Sequence, residues 1–328
     1  MTRTHDGQTA LVAALITAHW FTRSSGAMRS AAGHAAWLSA LVAGLLLSAL
    51  CLLLTPLLPK GGLWAHCRKH RALRMLPLLT ALQLMLLCAG AWRGLLDSLA
   101  RTLLPETPRG FALLLTLPAA AAMGLYGLVP VMRTVKLLAP LLAALFAALL
   151  IGSAWGQADG YRLIPLLGEG VPDIAEGAGH ALTAGAWLAL LLPGSERGRT
   201  GAKACLAGTL LGTPGYAVHA LLLPLVSRGW TQVLSGLMLL PVQIAAVSAA
   251  PACAAQGLQS VFPAKRPGLW TYALLPVLAL TALPDAHSCP KWLTALLEPW
   301  VPCALLLLQL LILFLHKAYT AKEGCTDA

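Results

Sequence analysis

Polar side chains are scarce in this chain, and those with chemistry to offer gather at two places. The first is Ala18-His-Trp-Phe-Thr-Arg-Ser-Ser-Gly26, where an apolar run gives way to hydroxyl residues and glycine. The second holds Gly177, Gly179 and Gly185 with His180, Thr183 and Trp187, and ends at Pro193-Gly194. The hydroxyls of Thr22, Ser24, Ser25 and Thr183 can hydrogen-bond a small polar ligand, and carbonyls freed around Ser24–Gly26, with the ring faces of Trp20 and Trp187, attract a cation. Where a helix unwinds, its exposed N–H groups and half-helix dipoles favour an anion. For each hydroxyl the alternative is a bond back to its own helix. His19 and His180 read either as proton sensors or as hydrogen-bonded structural histidines. Arg23 and Arg93 lie where apolar segments end, and read either as functional intramembrane charges or as long arginines that snorkel to the interface.

Other chemistries lack their signatures. The sequence offers no carboxylate pair within a helix, no His-x-x-x-His spacing and no phosphate loop followed by Lys-Ser/Thr. Gly194-Ser-Glu-Arg-Gly198 follows no strand and is not a nucleophile elbow. The eight cysteines contain no Cys-x-x-Cys pair, so neither a disulfide framework nor a zinc site is indicated. The expectation is a protein without catalytic residues, metal or cofactor.

The elements that must position these residues follow from composition. A charged fraction of 11% beside a hydrophobic fraction of 58%, with mean hydropathy +0.75, fits a chain whose solvent is mostly lipid. A tilted helix crosses a bilayer with about 17 to 25 apolar residues. The uncharged runs then predict about ten transmembrane helices near residues 7–26, 35–58, 75–98, 111–132, 134–155, 178–194, 204–227, 231–256, 268–284 and 296–317. No linker or composition shift divides them, so residues 1–328 read as one all-α integral membrane domain. The small residues at Ser30-Ala-Ala also suit a cleaved signal peptide, but the n-region is weak and removing the first segment would break the charge alternation.

The net charge of +11 is lopsided. With a cytoplasmic N-terminus and alternating helices, the inner side holds 15 of the 23 basic residues and the outer side holds eight of the twelve acids. The positive-inside rule thus predicts a multi-pass protein of the cell membrane with both termini in the cytoplasm. On the same count Arg68-Lys-His-Arg71 is a cytoplasmic loop and not a nucleic-acid contact.

Ten helices divide into two halves of five, and the Gly-interrupted segments fall in equivalent places, helix 1 and helix 6. Short interrupted segments at matching positions point to an inverted-repeat transporter fold with the ligand near the midplane; two marginal helices packed through small residues are the alternative.

Several stretches are similar, in order and at matching spacing, to the B-subunit permeases of spore germinant receptors. Ala35-Ala-Trp-Leu-Ser39 resembles the motif that opens their second helix, and Gly127-Leu-Val-Pro-Val-Met-Arg133 resembles their Gly-Ile-Glu-Val-Ile-Ala-Arg. Pro140 falls where that family has a helix 5 proline. Leu163-Ile-Pro-Leu-Leu-Gly-Glu-Gly170, with the run to Gly177, looks like its Leu-Leu-Pro-Val-Leu-x-x-Gly loop, and Val261-Phe-Pro263 matches a further landmark before helix 9. The correspondence covers roughly residues 9–270. The chain departs from the pattern in helix 1, at Val129 where the family has glutamate, and between Thr183 and Ala186, where it often has an acid.

The resemblance implies the 5+5 inverted-repeat fold of the amino acid–polyamine–organocation (APC) superfamily, with helices 1 and 6 interrupted. It further implies a nutrient sensor of the spore inner membrane that binds a small ligand such as an amino acid and signals to an A-type channel subunit and a C-type lipoprotein subunit. An amino acid's carboxylate and ammonium would take the groups named above, and Gln83 and Gln243 lie on helices that flank the site in that fold, as wall residues or interhelical glue. Two other functions share the fold: a secondary transporter of amino acids or polyamines, and a degenerate subunit that assembles without binding.

Overall fold

The computed structural model describes residues 3–20, 25–58, 63–64, 67, 70, 73–155, 170–192, 206, 213, 217, 230–262, 269–284 and 290–326. Every regular element among them is helical. We label the α-helices α1 (Arg3–His19), α2 (Ser25–Ala32), α3 (Ala36–Leu57), α4 (Leu76–Thr102), α5 (Arg109–Gly124), α6 (Leu128–Trp155), α7 (Val171–Leu182), α8 (Trp230–Val261), α9 (Leu269–Leu280), α10 (Lys291–Leu296) and α11 (Trp300–Thr326). A 3₁₀ segment, Thr183–Leu191, continues α7.

Among the described residues four helical stretches are long and apolar enough to cross a membrane: Ala27–Leu57, Leu76–Ala100, Leu239–Val261 and Trp300–Tyr319. α5 and α6 qualify together as a fifth, broken span with a bend of 110°. Large apolar side chains stand outward on them, including Leu45 at 66%, Leu114 at 67% and Phe314 at 58% exposure, as lipid-facing residues do. α8 is central, with 78% of its apolar window buried, whereas α11 is peripheral at 22%. Small residues permit the closest crossings. A Cβ on Gly257 of α8 would lie 2.9 Å from the Pro77 carbonyl oxygen of α4, and one on Gly177 of α7 would lie 2.6 Å from Ser39 Oγ of α3.

The boundaries differ from expectation in instructive ways. The predicted helix at 111–132 stops at Gly124 and a new one starts at Leu128. Gly127 takes φ +85°, a left-handed backbone that glycine adopts readily, and Pro130 sits in the first turn of α6, where its missing N–H costs no hydrogen bond. The predicted 134–155 helix therefore begins at Leu128 and carries Pro140 inside it. The predicted 178–194 helix starts at Val171, after Gly170 at φ +147° and with Pro172 at its N-terminus, and changes to 3₁₀ winding at Thr183. The predicted 7–26 helix ends at His19, and Ser25 and Gly26 open α2 instead. Helix 268–284 shortens to Leu269–Leu280, and 296–317 begins at Trp300 after the separate turn of α10. The predicted 204–227 helix lies almost wholly outside the described residues.

Polar contacts gather at the helix ends. At one end Asp97 and Arg109 form an ion pair, and Arg109 also donates to the Pro284 carbonyl at 3.5 Å. At the opposite end Lys317 donates to the Pro56 carbonyl at 3.2 Å, and the rings of His70 and His316 meet at 4.8 Å.

Candidate functional site

The site is built around the junction of α7 with the 3₁₀ segment. Runs of 3₁₀ helix beyond three or four residues are uncommon, since the hydrogen-bond geometry is poorer, and mark hinges or functional strain. This one is nine residues long and buried throughout. Changing the winding displaces carbonyls from their usual partners, and side chains from neighbouring helices supply replacements. Trp20 Nε1 donates to the Ala181 carbonyl at 2.9 Å, and Gln83 Nε2 donates to the Ala186 carbonyl at 3.0 Å. The Thr183 hydroxyl donates to the His180 carbonyl at 2.6 Å, so its oxygen accepts from His19 Nε2–H at 3.0 Å. The end of α1 is thereby bonded to the α7–3₁₀ junction. Gln83 belongs to a chain of amides: Gln309 Nε2 of α11 donates to Gln83 Oε1 at 2.8 Å, and Thr80 Oγ1 donates to Gln309 Oε1 at 3.3 Å.

Beside this junction lies a cavity of about 30 Å³ among α1, α4, the 3₁₀ segment and α8. That volume suits one or two water-sized groups. Its polar lining is His19, Trp187 and Gln243, and its walls include Gly90, Gly94 and Ala246. None of its described lining residues is an acid, a lysine or an arginine. Gln243 is only 5% exposed, yet neither its amide nitrogen nor its amide oxygen has a hydrogen-bond partner, and the Trp187 indole N–H lacks one too. A buried unsatisfied donor or acceptor costs about 1–3 kcal/mol. The amide offers one donor–acceptor pair and the indole one donor, a set that suits a small polar ligand.

The sequence-selected residues thus divide. Trp187 and Gln243 line the cavity, with His19 beside them. Trp20, Gln83 and Thr183 spend their polar atoms on the winding change. Gly185 faces α3, where an added Cβ would lie 2.6 Å from Leu47 Cδ2. Ser25 and Gly26 sit in the first turn of α2, with their side-chain surroundings outside the described residues, and Thr22, Arg23 and Ser24 lie outside them altogether. His180 packs its ring against Trp300 at 5.8 Å, and Arg93 is half-buried on α4. Sequence reasoning missed Gln309 and Gly94. A lone glutamine inside Leu-Leu-Gln-Leu-Leu was a usable signal for the first, since a membrane helix rarely keeps an amide without a partner. Several remaining hydroxyls follow the bland alternative and bond back to their own helices, as Ser48 does to Gly44, Thr116 to Ala112 and Ser248 to Ile244.

Among the described residues no group of three His, Cys, Asp or Glu side chains is placed to hold a metal ion. No protein-family model matches this chain, and no curated protein matches it in sequence.

Proposed function

We propose that this protein is a membrane-embedded ligand-binding subunit, the nutrient-sensing B subunit of a spore germinant receptor. On this reading ten helices form the 5+5 arrangement, α1 with α2 and α7 with the 3₁₀ segment serve as its two interrupted helices, and both termini face the cytoplasm. The ligand is a small nutrient such as an amino acid, bound without conversion, and its occupancy is passed to the A-type and C-type partners in the spore inner membrane.

The observation that carries the reading is the unpartnered Gln243 amide in a cavity beside the junction where α1 meets the change of winding. The colinear motifs of the sequence support the receptor assignment in particular. Sensing is favoured over ion-coupled transport because the cavity lining described contains no carboxylate of the kind such carriers use. At about 30 Å³ the cavity must widen to admit an amino acid, so binding is coupled to a conformational change that a partner subunit can read.

The test is genetic. Spores lacking the chain should lose their response to one nutrient, the wild-type chain should restore it, and Gly94→Leu, which puts a large side chain into the cavity wall, should not restore it at equal protein level. Unchanged germination on every nutrient, or a chain made in growing cells and absent from spores, contradicts the proposal.

A further inference from the structure

A second, larger opening lies at the end of the helices that carries Lys317, and shares no lining residue with the cavity at Gln243. It forms where α5 bends into α6. A cleft of about 460 Å³ is lined there by Trp64, Tyr126, Gln256, Ser260 and Thr271, among others. A second cleft of about 290 Å³ shares Trp64 and Ser260 with it and reaches Arg74 and Pro77 at the start of α4. Both are the size of small-molecule sites. The bend borders the opening: Leu125, Tyr126 and Gly127, the last at φ +85°, all line it.

The polar groups of the double cleft are unbalanced. Among the described residues Arg74 is the only fully charged one in the lining, and none of them is an acid. The Trp64 indole N–H is buried without a partner and can only donate. Gln256 adds an amide and Tyr126 a phenol, both exposed. Ser260 commits its proton to the Gly257 carbonyl at 2.6 Å. A guanidinium with neutral donors around it and no competing carboxylate is chemistry for an anion, and the planar fork of arginine suits phosphate in particular.

The rim narrows the source of that phosphate. Met75 and Phe262 follow Arg74 and Val261 directly and are 63% and 53% exposed. Each therefore sets a large apolar side chain next to a residue that lines the cleft, as a headgroup site with acyl chains alongside requires. Basic pockets between membrane helices recognise anionic headgroups in this way. The geometry points to a second binding site in this cleft, for the phosphate of an anionic phospholipid, held by Arg74 and Trp64 between the start of α4 and the end of α8. It stands independently of the ligand proposed at Gln243.

The purified full chain in neutral detergent provides the test, read as thermal unfolding against added lipid. Phosphatidylglycerol should raise the melting temperature saturably and phosphatidylcholine should not. Arg74→Gln should raise the half-saturating lipid concentration about tenfold, the worth of one charge-assisted hydrogen bond. Trp64→Phe, which keeps the ring and removes the N–H, should weaken binding as well. Lys317→Gln at the same end should leave it unchanged, separating a site from general attraction to a basic surface. Stabilisation by inorganic phosphate alone, lost in Arg74→Gln, would overturn the lipid assignment. Equal effects of the two lipids, or undiminished binding in both cleft variants, would overturn the site.

Discussion

Two buried glutamines of similar exposure carry opposite meanings. Gln83 joins the Ala186 carbonyl to Gln309 and so holds α4 and α11 to the 3₁₀ segment. The Gln243 side-chain amide has no hydrogen-bond partner among the described residues. Replacing each with leucine should therefore move stability in opposite directions. Gln83→Leu leaves a carbonyl and an amide unpaired and should destabilise by about 1–3 kcal/mol, while Gln243→Leu removes an unsatisfied amide and should be neutral or stabilising by about 1 kcal/mol, both read from chemical unfolding in detergent. A destabilised Gln243→Leu would mean that this amide has a structural partner. The sequence marks both residues as rare amides in apolar helices, but whether an amide points at a carbonyl or into space depends on helix rotation, which no local pattern encodes. Cys67 gives a pH prediction. Burial pushes its thiol from the ordinary 9.0 up to about 12. Its folded pKa is raised, so its contribution to stability is complete below pH 9 and is lost as pH rises toward 12. Maleimide labelling of Cys67, in a chain with the other cysteines replaced, should stay slow at pH 8 and accelerate through pH 10 without a plateau near 9.

The elements are decided by a few residues with special backbones. The break between α5 and α6 rests on Gly127 at φ +85°, and the change of winding at Thr183 is held by bonds from Trp20, Gln83 and His19 on other helices. The first was open to reading, since Gly-x-x-Pro is a plausible break; Gly127-Leu-Val-Pro130 sits instead inside an apolar run long enough to be taken for one span. The second was legible only as a cluster of glycines, because the bonds that stabilise it come from residues more than a hundred positions away. Two glycines of α4 and α8 test the packing. Gly257→Ala would push a methyl against the Pro77 carbonyl and should destabilise by about 1–3 kcal/mol. Gly94→Ala meets nothing within 4 Å and should gain up to about 1 kcal/mol from helix propensity, seen as a higher melting temperature.

Across the whole molecule, apolar helices with a buried centre follow from hydropathy, which acts over entire segments and survives errors of several residues in each boundary. The location of the cavity was only half legible. Trp187 and Gln243 were visible as candidates, while the small residues of α4 that leave the space, Gly90 and Gly94, read as ordinary membrane-helix composition. The same arrangement that positions the cavity also ties it to the periphery, since Gln309 on the exposed helix α11 is bonded through Gln83 to the 3₁₀ segment. Movement of that segment on ligand entry would be felt on the face open to lipid or to a partner.

The central claim is that the space between His19, Trp187 and Gln243 receives a small nutrient, and direct binding tests it most closely. The purified chain is titrated calorimetrically with each of the common L-amino acids, alongside Gly94→Leu at matched folded content. At least one should bind the wild-type chain saturably, with binding lost in Gly94→Leu. No saturable ligand for the wild-type chain, or equal binding to the filled variant, contradicts it.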